Sequence, residues 1–171
     1  MNFRNLFWGC SLFIIVALLA NLCFINKGAV ELSYDHRADD LLDSGLIAIR
    51  KGRLEDAELR LRHALTLEPG YAANYYYLGE IFIQRKRWDS ACYYFTRAIE
   101  IDPEAYSAYY KLGIAFKRKG NYKNAIKYLK RAIQLNPGFA VAYGALRDIF
   151  ITIGNYEAVV EIDRILERMI R

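Results

Sequence analysis

The three prolines of this 171-residue chain, Pro69, Pro103 and Pro137, fall 34 residues apart. A fixed period of that size marks a stack of supersecondary units, none of which buries its apolar face alone. Placing each proline at position 32 of a unit divides the chain into 38–71, 72–105, 106–139 and 140–171, the last two residues short of the period.

Other residues fall into the same register. Leu78-Gly79 and Leu112-Gly113 recur at positions 7 and 8, with Ser44-Gly45 in the first unit and Leu146-Arg147 in the last. Phe82, Phe116 and Phe150 follow three residues later, with Ala48 in the first unit. A small residue comes next (Ala57, Ala91, Ala125), then a large apolar one (Leu61, Phe95, Leu129), then Ala64, Ala98 and Ala132. Gly52, Gly120 and Gly154 sit between the two halves of a unit, where a left-handed turn needs no Cβ. Over residues 38–171 this pattern resembles tetratricopeptide repeats. The resemblance implies an all-α solenoid of about four helix pairs. In the fourth unit, Val159 and Asp163 replace the small and large apolar residues. Those positions would meet a following repeat, so the last helix reads as a terminal cap whose outer face is polar, carrying Glu157, Glu161, Arg164, Glu167 and Arg168.

Ahead of the repeats, Leu6 to Ile25 is twenty residues without a charge, which as a helix reaches roughly 30 Å, the thickness of a bilayer's hydrocarbon core. The reading is a short tail at 1–5, a transmembrane anchor at 6–25 and a linker at 26–37. A cleaved signal peptide is the competing reading, because Arg4 forms a small positive n-region. The apolar run is longer than the usual ~7–15 residues, and the residues around Ala20 and Cys23 make poor cleavage positions. Arg4 and the α-amino group on one flank, against Lys27 and Arg37 on the other, lean the repeats towards the extracytoplasmic side.

In the resemblance, the first helix of each unit lines a concave groove through positions 2, 5, 9, 12 and 13. Here these include Leu42 and Leu46; Tyr76, Glu80 and Ile83; Tyr110, Ile114 and Lys117; Asp148 and Ile151. Tyr76 and Tyr110 hold the same position in adjacent units and offer amphipathic contact area at low entropy cost. Repeats that clamp a chaperone's C-terminal carboxylate need Lys and Asn where this chain has Leu42, Leu46, Tyr77 and Ser107; only Lys111 has a suitable charge. A partly apolar segment is the expected occupant.

The turns within units carry a second periodic feature: Arg50, Lys51 and Arg53; Arg85, Lys86 and Arg87; Lys117, Arg118 and Lys119. Stacking lines these up as a basic ridge that suits an acidic protein, anionic lipid or RNA, or that is merely solvated. A net charge of +5 is a weak footing for nucleic-acid binding, which is kept as an alternative.

Nothing in the chain calls for catalysis, a metal or a cofactor. His36 and His63 stand apart, Cys92 is the one cysteine after the leader, and no metalloprotease, nucleophile-elbow or phosphate-loop motif occurs. The expected function is a membrane-tethered adaptor that binds protein partners, foremost subunits of a membrane complex during assembly, with self-association open. One N-terminal span followed by about four repeats is similar in layout to the small photosystem I assembly proteins of cyanobacteria and red-algal plastids, and to many bacterial envelope proteins. The alternative is an exported periplasmic repeat protein released by signal cleavage.

The alignment makes a direct prediction. Ala91→Leu and Ala125→Leu should each overpack a helix crossing and cost ~1–3 kcal/mol, read as a lowered Tm.

Overall fold

The computed structural model describes residues 37–170. The proposed tail, the apolar segment 6–25 and nearly all of the linker lie outside the described residues. Among the described residues, no helix is long and apolar enough to cross a membrane.

Among the described residues, eight helices run in four antiparallel pairs. Residues 37–50 form α1, which pairs with α2 (Leu54–Leu67). The second pair is α3 (Ala72–Gln84) with α4 (Trp88–Ile101), and the third is α5 (Tyr106–Arg118) with α6 (Tyr122–Leu135). The fourth is α7 (Ala140–Thr152) with α8 (Tyr156–Ile170). The first three pairs each pack on the first helix of the next, and the buried side chains form two core clusters with Phe116 packed against both.

Glycine against bulk closes the first three pairs. A Cβ on Gly79 would lie 2.7 Å from the Phe95 ring, and one on Gly113 would lie 2.7 Å from Leu129. Leu61, Phe95 and Leu129 are completely buried, as are Ala57, Ala91 and Ala125 one turn earlier. The fourth unit changes both partners together. Arg147 replaces the glycine, Asp163 replaces the large apolar residue, and the two form an ion pair at 3.1 Å. Asp163 is therefore held within its own unit, with its side chain 44% exposed. The outer face of α8 is mixed rather than polar: Tyr156, Val160, Met169 and Ile170 are exposed alongside its charges. The terminal-cap expectation is corrected on that point, because α8 keeps an apolar stripe that nothing among the described residues covers.

The turns within pairs share one geometry. In the second pair, Lys86 N–H donates to the Ile83 carbonyl and Arg87 N–H to the Phe82 carbonyl, both at 2.9 Å. The same two bonds recur at Gly52/Arg53, Gly120/Asn121 and Gly154/Asn155. This is the Schellman arrangement, whose first residue must be left-handed. Gly52, Gly120 and Gly154 have φ of 72°, 75° and 75°, and Lys86 is forced to 56° without glycine's freedom. Between units, the Asp102 and Asn136 carboxyl and amide oxygens accept from the backbone N–H of Glu104 and Gly138, at 3.0 and 3.1 Å. These short side-chain turns enclose Pro103 and Pro137.

Lys86→Gly should raise stability by about 0.5–1 kcal/mol, since relief of the left-handed strain exceeds glycine's entropy cost. Gly79→Ala should do the reverse, at ~1–3 kcal/mol, because the Phe95 ring has no room to retreat. Chemical denaturation of the two variants distinguishes these signs.

Candidate protein-binding surface

The first helices α3, α5 and α7 are tied together by charge. Lys111 Nζ lies 2.9 Å from a Glu80 carboxylate oxygen, joining α5 to α3. Lys117 Nζ lies 2.8 Å from Asp148, joining α5 to α7. Three residues singled out for the groove, Glu80, Lys117 and Asp148, thus spend their charge on neighbouring units. The two groove tyrosines are also engaged. Tyr76 packs edge-on against Tyr77 and Phe95 at 5.3 and 5.6 Å, and Tyr110 meets Phe139 at 5.2 Å. Burial, with the Glu80 carboxylate adding to it, pushes the Tyr76 phenol far above its ordinary range, so it stays protonated. Ile83 and Ile114 are half-buried and pack against the two core clusters. Ile151 is exposed and Leu42 is buried.

The basic ridge divides. Arg85 reaches back to the preceding unit and pairs with Glu55 at 3.1 Å and with Glu58. Lys119 makes the matching contact to Asp89 one unit on, and Arg53 lies 3.7 Å from Asp56. With Lys117 on Asp148, this leaves Arg50, Lys51, Lys86, Arg87 and Arg118 exposed and outside any ion pair among the described residues. Three of the nine ridge cations, Arg85, Lys117 and Lys119, therefore staple one repeat to another. Burial pushes the Glu58 carboxyl up, but the Arg62 and Arg85 guanidiniums outweigh it and hold the group below its ordinary value.

What remains open on the first-helix side is a cavity of about 360 Å³ between the second and third units. Ala72, Ala73, Tyr76 and Tyr77 of α3 form one wall; Ala98 and Asp102, then Ala105, Ser107 and Ala108, form the other. Of these, the sequence marks Tyr76 as a groove ring and Tyr77 and Ser107 only as unsuited carboxylate-clamp positions, and it does not mark Ala105. The signal lay in position 34. In the next unit Phe139 occupies that position and inserts between Tyr106 and Tyr110 at 4.9 and 5.2 Å. Ala105 stands there in the second unit, and the space stays empty of any ring.

A tetratricopeptide repeat family model matches residues 106–139, and a TPR repeat model matches 79–120. The described residues have the fold of a tetratricopeptide-repeat solenoid, and the family models match residues 79–139 of it. Solved structures agree on the fold. The crystal structure of MamA is 24% identical, covers 84% of this chain and 83% of its own, and superposes with a TM-score of 0.75. The first TPR of Spaghetti (RPAP3), bound to the HSP90 peptide SRMEEVD, is 18% identical over 70% of this chain and 94% of its own, at 0.68. A Thermobaculum terrenum O-GlcNAc transferase matches at 0.65 and 23% identity, over 68% of this chain and only 22% of the enzyme. Curated protein sequences give no match.

The Arg85 staple sets a pH dependence. A carboxyl whose pKa is depressed on folding adds stability above its unfolded value, and that stability is lost as pH falls through the folded one. Arg85→Ala should therefore lower Tm at neutral pH, and the gap to wild type should close on acidification through and below the carboxylate range (about 4).

Proposed function

We propose that this chain is a membrane-tethered adaptor that binds a protein segment along its first-helix face during assembly of a membrane complex. The observation that carries the reading is the cavity beside Tyr76 and Tyr77. It is a mostly alanine-lined recess flanked by two phenol rings, of a size suited to one apolar side chain of an extended or helical partner. The neighbouring charges are already paired across units, so they rigidify the face and leave selectivity to shape and apolar contact.

The solved TPR of Spaghetti (RPAP3) holds an HSP90 peptide ending in Asp. This chain presents Leu42, Leu46, Tyr77 and Ser107 at the positions expected of a carboxylate clamp, and Lys111 is committed to Glu80. An internal apolar segment is the better fit than a terminal carboxylate. The tether rests on the uncharged run 6–25, which would keep the repeats close to a bilayer and its complexes. Photosystem I assembly is the pathway whose small repeat proteins share this layout. The ridge's five cations outside any ion pair among the described residues give nucleic acid a weak claim.

Affinity purification of the full-length protein from mild-detergent membranes tests this, with Ala105→Phe as the control. That substitution closes the cavity as Phe139 closes the equivalent space one unit on, without removing a core side chain. Subunits of a membrane complex should copurify with wild type and fall at least about tenfold with Ala105→Phe, the loss of one good anchor. Equal recovery by both would move the site off this face, and recovery only from the soluble fraction would favour the exported alternative.

A further inference from the structure

A ring stack recurs in the second and third units on the second-helix side. In the second unit Tyr94 lies parallel on Phe82, with centroids 5.2 Å apart and planes at 5°, and Tyr75 stands 6.5 Å away. In the third unit Tyr128 lies on Phe116 at 5.4 Å and 9°, with Tyr109 at 6.4 Å. The stack in the second unit is covered by a cation from the unit before it, the Arg62 guanidinium 5.8 Å from the Tyr94 ring.

The fourth unit repeats the frame and omits the centre. Tyr143 and Phe150 stand where Tyr109 and Phe116 do, and Lys130 occupies the position of Arg62 two periods on. Ile162 replaces the tyrosine. The result is an open, predominantly apolar cavity of about 360 Å³, lined by Lys130, Ile133, Tyr143, Leu146, Phe150 and Ile162 among others. A buried apolar cavity of about 150 Å³ is enough to hold a benzene ring, so the space takes a phenol side chain.

We propose that this cavity is a second docking site, which receives an aromatic side chain, tyrosine or phenylalanine, from a partner protein. The chain shows its preferred occupant twice, in Tyr94 and Tyr128. Phe150 offers the face on which both of those rings lie, Tyr143 offers the flank, and Lys130 supplies the cation that attracts a ring and not an aliphatic chain. The site is built from α6, α7 and α8 and shares no residue with the Tyr76 cavity. One chain can thus hold two segments at once, which suits a scaffold and stands whether or not the first-helix face is used.

The test uses the full-length chain, N-acetyl-tyrosinamide and N-acetyl-leucinamide, with NMR shifts as the readout. Tyrosinamide at millimolar concentration should perturb Tyr143, Phe150 and Ile162, and leucinamide should act at least about tenfold more weakly. Ile162→Tyr should restore the stack, raise Tm by several degrees and abolish the perturbation. Absence of any shift with tyrosinamide, equal binding of leucinamide, or shifts that persist in Ile162→Tyr would each overturn the site. A lowered Tm in Ile162→Tyr would show that no ring fits. A concentration-dependent dimer abolished by Ile162→Tyr would put a second copy there and overturn the assignment to another protein.

Discussion

Three of the four helix pairs among the described residues turn on a bulky side chain seated against a glycine. Phe95 over Gly79 and Leu129 over Gly113 bring the two backbones closer than any Cβ would permit. That approach buries the bulky residue completely and aligns the pair for the next one. Stacking then follows from area: a pair leaves apolar surface on its outer side, and only another pair of the same shape covers it. The fourth unit shows how strict the contact is. When the glycine becomes Arg147, the large residue becomes Asp163, and charge replaces packing at a contact that solvent reaches.

Periodicity also makes the departures informative. Lys86 stands where three glycines stand, at a positive φ it tolerates only because two backbone hydrogen bonds hold it there. Ala105 stands where Phe139 fills a gap, and Ile162 where Tyr94 and Tyr128 complete a stack. The last two departures open space on opposite helix sets, and both openings are mainly apolar. A repeat fold is fixed by what its units share, and its binding surfaces arise where they differ.

The helix pairs and their turns were legible in the residues, because proline, glycine and alanine have few conformational alternatives at their positions. Observed bounds such as Ala72–Gln84 and Tyr106–Arg118 follow the 34-residue register closely. The site was only partly legible. Tyr76 and Tyr110 were picked as groove rings, yet each packs on a residue, Phe95 or Phe139, brought to it by the fold. The charges were read as a ridge, although Arg85 with Glu55 and Lys119 with Asp89 are both 30 residues apart, and Glu80 with Lys111 and Lys117 with Asp148 are both 31. That recurrence was available to inspection. Missing from the sequence was the knowledge that side chains nearly one period apart face each other across adjacent units. Cavities were harder still, being defined by side chains that a position lacks.

The central claim is that a partner segment inserts beside Tyr76 and Tyr77. The most direct measurement places a photo-reactive amino acid at Ser107, on the cavity wall, in the full-length protein in its native membranes, and identifies the adducts by mass spectrometry. The account predicts one dominant adduct, to an apolar segment of a membrane-complex subunit, that disappears when Ala105→Phe is added. No adduct at Ser107, or the same adduct formed equally from exposed Leu59 on α2, would contradict it.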